Sequence, residues 1–219
     1  MKIVIINGSP RENGLTASIL RHLERYLSNQ GADVEFYNLS ALNISQCRGC
    51  CACYMTGRCM MNDDAEMLTH AIEKADGLIL GTPTYASNVS GYMKLLIDRG
   101  HFVIEQLLTG KHCMTVTTGE NYGSRDASKV LKKLVIYSGG RLVRSIVVNS
   151  PFNSGIPRKT EKHINIFAQR LIRAIKGHRS YPFQCLFHRI IFSLGIKPFV
   201  EKKGETYRGV VTKWKQYGA

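Results

Sequence analysis

"KIVIINGSPRENGLTAS", Lys2–Ser18, decides the fold. Ile3–Ile6 is an unbroken run of apolar, mostly β-branched residues, the composition of a strand buried on both faces. It stops at Asn7-Gly8-Ser9-Pro10, a turn composition, so it is not the hydrophobic segment of a signal peptide. Thr16–Leu27 then places Ile19, Leu20, Leu23 and Leu27 on one helical face. Strand, glycine loop and helix together form the opening unit of an open parallel sheet. Such sheets bind ligands at the carboxyl ends of their strands.

The same rhythm recurs along the first 150 residues. Further strands are predicted at Val34–Tyr37, Gly77–Leu80, Cys113–Thr117 and Leu142–Val148. Helices are predicted at Asp64–Ala75 (behind an Asn-Asp-Asp N-cap), Ser90–Arg99 and Ser124–Tyr137. Five strands alternating with helices predict an α/β fold, a flavodoxin-like three-layer α/β/α sandwich with a five-stranded parallel sheet in the order 2-1-3-4-5. Lys162–Lys176 reads as a basic amphipathic helix that closes it. Beyond His178, "SYPFQCLFHRIIFSLGIKPF" is apolar and basic together. Residues 179–219 are therefore expected to be a helical extension packed on the core or on a partner.

The chain has 219 residues and a formal net charge of +14. The last 65 residues hold 14 of the 30 Lys/Arg and 3 of the 16 Asp/Glu, so most of the excess lies there. A basic tail suits an anionic partner or a solvated face. No apolar run approaches the ~20 residues that cross a bilayer, and a cytoplasmic location is expected. Nucleic acid is not expected as a partner, since no helix-turn-helix or finger pattern is present.

Three loops fall at the carboxyl edge of the predicted sheet. The first, Asn7–Ser18, offers Ser9, Arg11, Asn13 and Thr16 around a helix N-terminus, where unsatisfied amides and the dipole favour an anion. It lacks both the P-loop and the G-x-G-x-x-G patterns, leaving a site for one phosphate monoester. The second, Gly81–Gly91, offers Tyr85 to stack on or wall off a planar group, with Ser87 and Asn88 for its polar edge. The third, Thr117–Ser124, adds two glycines and Tyr122. Together they predict a pocket for a flat, phosphorylated heteroaromatic.

"INGSPRENGLT", "GTPTYASNVSGYMKLLIDR" and "TTGENYG" resemble signatures of the NADPH-dependent FMN reductase family within the flavodoxin-like superfamily. "CRGCCACYMTGRC", Cys47–Cys59, resembles its iron–sulfur flavoprotein branch. The resemblance spans about Met1 to Ile175. It implies non-covalent FMN in residues 1–178, with NAD(P)H as electron donor. Ser9, Arg11, Asn13 and Thr16 would hold the phosphate. Leu15 stands where the pattern often has Asn, which removes one polar contact. Pro83, Thr84, Tyr85, Ser87 and Asn88 would flank the isoalloxazine, with Thr118, Gly119, Glu120 and Gly123 nearby. The chemistry would lie at flavin N5, so no side chain is assigned as catalytic. His70, His163 and His178 fall on helical stretches, with no role expected. A homodimer or higher homo-oligomer is the implied assembly.

Cys47, Cys50, Cys53 and Cys59 are separated by two, two and five residues. One loop of that spacing can supply four thiolates to a [4Fe–4S] cluster, with Arg48 and Arg58 offsetting its charge. A cluster-free structural or redox loop and a zinc site are the alternatives; zinc usually takes two separated pairs. Cys51 is expected to face inward, and Cys113 and Cys185 to serve packing. The function expected is an FMN-dependent NAD(P)H oxidoreductase acting on quinones, nitro- or azo-aromatics or free flavin. The alternative is an electron-transfer module reduced by ferredoxin, and a third reading lays the tail on an anionic membrane surface.

Overall fold

Parallel strands β1 (Lys2–Asn7), β2 (Asp33–Asn38), β3 (Gly77–Tyr85), β5 (His112–Gly119) and β6 (Arg141–Asn149) lie in the order β2-β1-β3-β5-β6. A two-residue strand, β4 (Asn88–Val89), pairs antiparallel with the end of β3. The computed structural model describes residues 1–120, 123–151 and 153–219. With β4 set aside, the five parallel strands have the order expected from the sequence. The sixth strand arises because β3 runs on to Tyr85 and turns back on itself, where the sequence predicts a loop.

Side-chain alternation sorts the core into two layers. Ile3 and Ile5 of β1, Ile79 of β3 and Met114 and Val116 of β5 face α1 (Leu15–Asn29) and α7 (Arg158–Lys176). Val4, Ile6, Leu78, Leu80 and Cys113 face the other way, toward α3 (Asp64–Lys74), α4 (Gly91–Arg99) and α6 (Ser124–Tyr137). Each central strand is thus apolar on both faces, which is why its sequence shows a run and not an alternation. Burial raises the Cys113 thiol pKa to about 12, so it behaves as a small apolar side chain.

The chain after α7 is helical and folds back over one face. α8 (Pro182–Ile191) docks on the edge strand β6 through Gln184, whose Oε1 accepts from Leu142 N–H (2.8 Å) and whose Nε2 donates to Leu142 O (3.0 Å). A π turn (Phe192–Ile196) and the short helix α9 (Lys197–Glu201) lead to α10 (Arg208–Tyr217). Val200, Val210 and Trp214 form a third apolar cluster with Tyr54 and Tyr207. There α10 crosses α2 (Ala52–Thr56) so closely that a Cβ on Gly209 would lie 2.3 Å from the Gly57 nitrogen. The outward face of α8 and the π turn carries exposed Phe183, Leu186, Phe187, Ile190 and Leu194.

Glu73 at the end of α3 fastens α10. Its Oε1 accepts from Lys213 Nζ (2.5 Å) and from the Tyr217 hydroxyl, and its Oε2 pairs with His70 Nδ1 (2.9 Å). Burial alone would raise its pKa, but the bonds from Lys213, Tyr217 and His70 outweigh that and lower it to about 2. The folded value is depressed, so the stabilisation is complete above the unfolded carboxylate range, near 4.5, and fades as pH falls toward 2. Glu73→Gln is expected to cost roughly 1–3 kcal/mol at neutral pH, with a penalty that shrinks in urea melts at about pH 3. A penalty of equal size at both pH values would contradict this account of the contact.

Candidate functional site

Three loops at the carboxyl edge are stitched into one surface. Gly8 N–H donates to Gly81 O (2.8 Å), and Ser90 Oγ, the N-cap of α4, donates to Gly8 O (2.6 Å). Thr16, in the first turn of α1, pairs with Thr118 at the end of β5, their hydroxyls 2.7 Å apart. Asn7 links β1 to β2 by donating to Asn38 Oδ1 (2.9 Å), while its own Oδ1 accepts the Ser9 N–H (3.0 Å). Ser9 is buried, its Oγ accepting from Arg11 N–H and donating to Arg11 O, both at 3.1 Å. These bonds fix the path of the first loop before any ligand arrives.

The surface encloses a cavity of about 830 Å³, within the range of cofactor pockets. Arg11, Asn13 and Leu15 line it from the first loop. Pro83, Thr84, Tyr85 and Ser87 line it from the β3–β4 hairpin, and Thr118, Gly119 and Glu120 from the end of β5. Of the other residues singled out in the sequence, Ser9 and Thr16 are buried behind the first loop. Asn88 spends its Oδ1 on the Val89 N–H (2.8 Å), and Gly123 abuts Ser87 at the start of α6. Tyr122 lies outside the described residues. Ser150, Pro151, Asn153 and Ser154, after β6, also line the cavity and were missed. The carboxyl-edge rule that selected the other loops applies equally to "NSPFNSG".

One end of the cavity suits an anion, and the other is polar and includes Glu120. α1 begins at Gly14 with no side-chain cap and no acidic residue in its first turn, leaving its amides and dipole to an anion beside Arg11. At the other end, Thr84 Oγ1 is buried without a hydrogen-bond partner among the described residues. Beside it, a Cβ on Gly119 would lie 3.3 Å from Thr84 Oγ1 and 2.2 Å from Ser124 Oγ, so only glycine leaves the floor flat. Ala86 and Ser87 hold φ of 48° and 60° at the hairpin tip, left-handed conformations that cost about 1 kcal/mol each or more. A phosphate at one end and a planar polar ring against Thr84, Gly119 and Tyr85 match this chemistry, and FMN fits.

The cysteine loop begins next door. Tyr85 also walls a second cavity of about 600 Å³ that includes Pro10, Cys47 and Tyr92. All seven cysteines are free thiols; Cys47, Cys50 and Cys51 are exposed, and Cys53 and Cys59 half-buried. Cys51 therefore does not face inward: it sits at φ 58° ahead of α2, a turn that carries its side chain outward. Among the described residues, no three Cys, His, Asp or Glu side chains converge on a metal-sized point. The donors are nevertheless of the kind an iron–sulfur cluster takes: five free thiols on one loop, two of them facing cationic side chains.

Those cations are not the arginines within the run. Arg99, the last residue of α4, places Nη2 3.4 Å from Cys59 Sγ. His101, just beyond and ahead of α5 (Phe102–Glu105), holds Nδ1 3.1 Å from Glu105 Oε1 and lies near enough to Cys53 for the thiol to favour its charged form. Burial opposes a charge on His101, but Cys53 and Glu105 outweigh that and raise its pKa to about 10. Arg99 closes the second quoted signature and His101 lies two residues on, but nothing in the sequence links either to the cysteines, because the fold, and not the spacing, brings the end of α4 to the loop.

The comparisons agree with this reading of the fold. A relative named iron-sulfur flavoprotein, from Clostridioides difficile, is 36% identical over 223 aligned residues that cover 100% of this chain and 99% of that one. Another of that name, from Archaeoglobus fulgidus, is 30% identical and covers 71% of this chain and 77% of its own. Among solved structures, an NADH:FMN oxidoreductase superposes with a TM-score of 0.60 at 19% identity, covering 84% of this chain and 92% of its own. An archaeal flavodoxin gives 0.56 at 12% identity, covering 80% and 99%; at these identities both speak to the fold alone. Residues 1–154, which supply every lining residue of the cavity, match the NADPH-dependent FMN reductase family, and the chain belongs to it.

Proposed function

We propose that this chain is an FMN-dependent NAD(P)H oxidoreductase that passes electrons to quinones, nitro- or azo-aromatics or free flavin, with the cysteine run holding a [4Fe–4S] cluster as a second redox centre. The observation that carries the reading is the cavity itself: a helix N-terminus and Arg11 at one end, an unpartnered Thr84 hydroxyl over a glycine floor at the other. Bound there, FMN would supply two-electron uptake from a nicotinamide and release in steps of one or two electrons.

The protein's part is binding and placement. Arg11, the amides of α1 and Asn13 hold the phosphate. Thr84 donates to or accepts from the ring edge, satisfying its buried oxygen. Tyr85 walls the ring on the side of the second cavity, and the strained hairpin keeps that wall in place. Cys47, Cys50, Cys53 and Cys59 would ligate the cluster, and Cys47 lies on the cavity that shares Tyr85, which puts the start of the loop beside the flavin pocket. That proximity also favours a second reading, in which the chain is an electron-transfer module reduced by ferredoxin and indifferent to NAD(P)H.

A homo-oligomer belongs to the proposal, supported by the exposed apolar stripe Phe183–Leu194 that a partner surface would cover. No helix among the described residues is long and apolar enough to cross a membrane; a cytoplasmic site of action is part of the proposal.

Anaerobic steady-state NADPH oxidation with menadione is expected to show turnover that depends on FMN. Reduction by ferredoxin alone, with no NADPH oxidation, would replace the first reading by the second. Arg11→Ala is expected to weaken FMN binding about tenfold to a hundredfold, the worth of a charge-assisted contact, and to leave riboflavin binding unchanged. Equal losses for the two ligands in fluorescence titrations would remove Arg11 from the phosphate site.

A further inference from the structure

We propose that Arg99 is a positioning residue for the iron–sulfur cluster: it clamps the feet of the cysteine loop and donates a hydrogen bond to Cys59 sulfur, raising the reduction potential of the bound cluster. The inference rests on the cluster reading above and assigns a role to a residue outside the cysteine run.

The side chain of Arg99 is 1% exposed and that of Asp63 is 3% exposed. The two form a bidentate pair, Nη1 to Oδ2 at 2.6 Å and Nη2 to Oδ1 at 2.9 Å. Nη1 also donates to Ser45 O (2.8 Å), and Nη2 reaches Cys59 Sγ (3.4 Å). One guanidinium thus touches Ser45, before the cysteine run, and Cys59 and Asp63, at its end. The carboxylates of α3 complete the clamp. Asp63 Oδ2 accepts from Ser45 N–H (3.0 Å) and Asp64 Oδ2 from Asn43 N–H (2.7 Å), while Asp63 Oδ1 caps α3 through Ala65 N–H (3.1 Å). The loop between is held at its feet and irregular in its span, with left-handed residues at Gly49, Cys51 and Gly57.

A buried guanidinium is costly to desolvate, and Arg99 Nε remains without a partner among the described residues. A loop tether alone does not call for that expense. A planar fork that spans a carboxylate and a sulfur does, and lysine cannot reproduce it with one compact ammonium. Arginine carries its charge at every working pH, so the effect needs no titrating group. Reduction adds one electron to the cluster and changes no bond. Asp63 offsets the charge of Arg99, so the effect comes from the N–H donated to Cys59: a donor at a ligand sulfur stabilises the more negative, reduced form and raises the potential.

The test compares wild type, Arg99→Lys and Arg99→Gln after anaerobic reconstitution. Iron and sulfide per chain are measured, folding is followed by far-UV circular dichroism, and midpoint potentials come from dithionite titrations followed by EPR. Arg99→Lys is expected to keep its cluster and to shift the oxidised-to-reduced ratio about tenfold toward the oxidised form, a fall of about 59 mV for a one-electron couple. Arg99→Gln is expected to shift further; if it fails to fold, Arg99→Lys decides. A wild-type protein that binds FMN but takes up no stoichiometric iron and sulfide overturns the cluster reading and this inference with it. Loaded wild type and loaded Arg99→Lys with the same potential overturn this inference alone, as does a variant that loses iron while its residual cluster keeps the wild-type potential.

Discussion

The structure depends on the joining of its first crossover to β3 and β5. Parallel strands bring their carboxyl ends to one edge, but loops there must still be held against one another. Gly8 reaches Gly81 and is reached by Ser90, and Thr16 meets Thr118, so four chain segments share a few short hydrogen bonds. None of these groups needs a ligand to satisfy it. Gly14 and Leu15 at the N-terminus of α1 thereby line the same cavity as Gly119 and Thr84. The energetic cost of an uncapped helix start, a buried hydroxyl without a partner among the described residues and a left-handed hairpin is concentrated where a cofactor would offset it.

Much of this was legible in the sequence because it follows from period and position. Ile3–Ile6 had to be a strand covered on both faces, and the residues after it had to lie at the carboxyl edge. Arg11, Asn13 and Leu15, the hairpin residues Pro83 to Ser87, and Thr118 to Glu120 came together because that edge is a property of the topology. Asn88 and Ser9 satisfy backbone groups nearby, a role that spacing cannot separate from ligand contact. The β3–β4 hairpin was hidden because its turn uses Ala86 and Ser87 at positive φ, where glycine or asparagine would have signalled it. Arg99 and His101 were hidden for a different reason: each lies at the far end of α4 from the flavin loops, and only the fold carries the cysteine run back to them.

The C-terminal residues join the two halves of the account. α10 lies on α2 at the Gly209–Gly57 contact and is tied to α3 by Glu73, so the helix that follows the cysteines is packed between core and extension. Tyr54, next to Cys53, stacks on Tyr207 with ring centroids 4.6 Å apart. The cysteine loop is therefore braced on one side by Arg99 and Asp63 and on the other by aromatic packing, while Cys47 and Cys50 remain exposed.

The central claim is that the carboxyl-edge cavity holds FMN. It is tested most directly by titrating the purified chain with the cofactor and following flavin fluorescence. Saturable quenching at one FMN per chain is the expected result. Fluorescence that stays at the level of free flavin throughout the titration would contradict it.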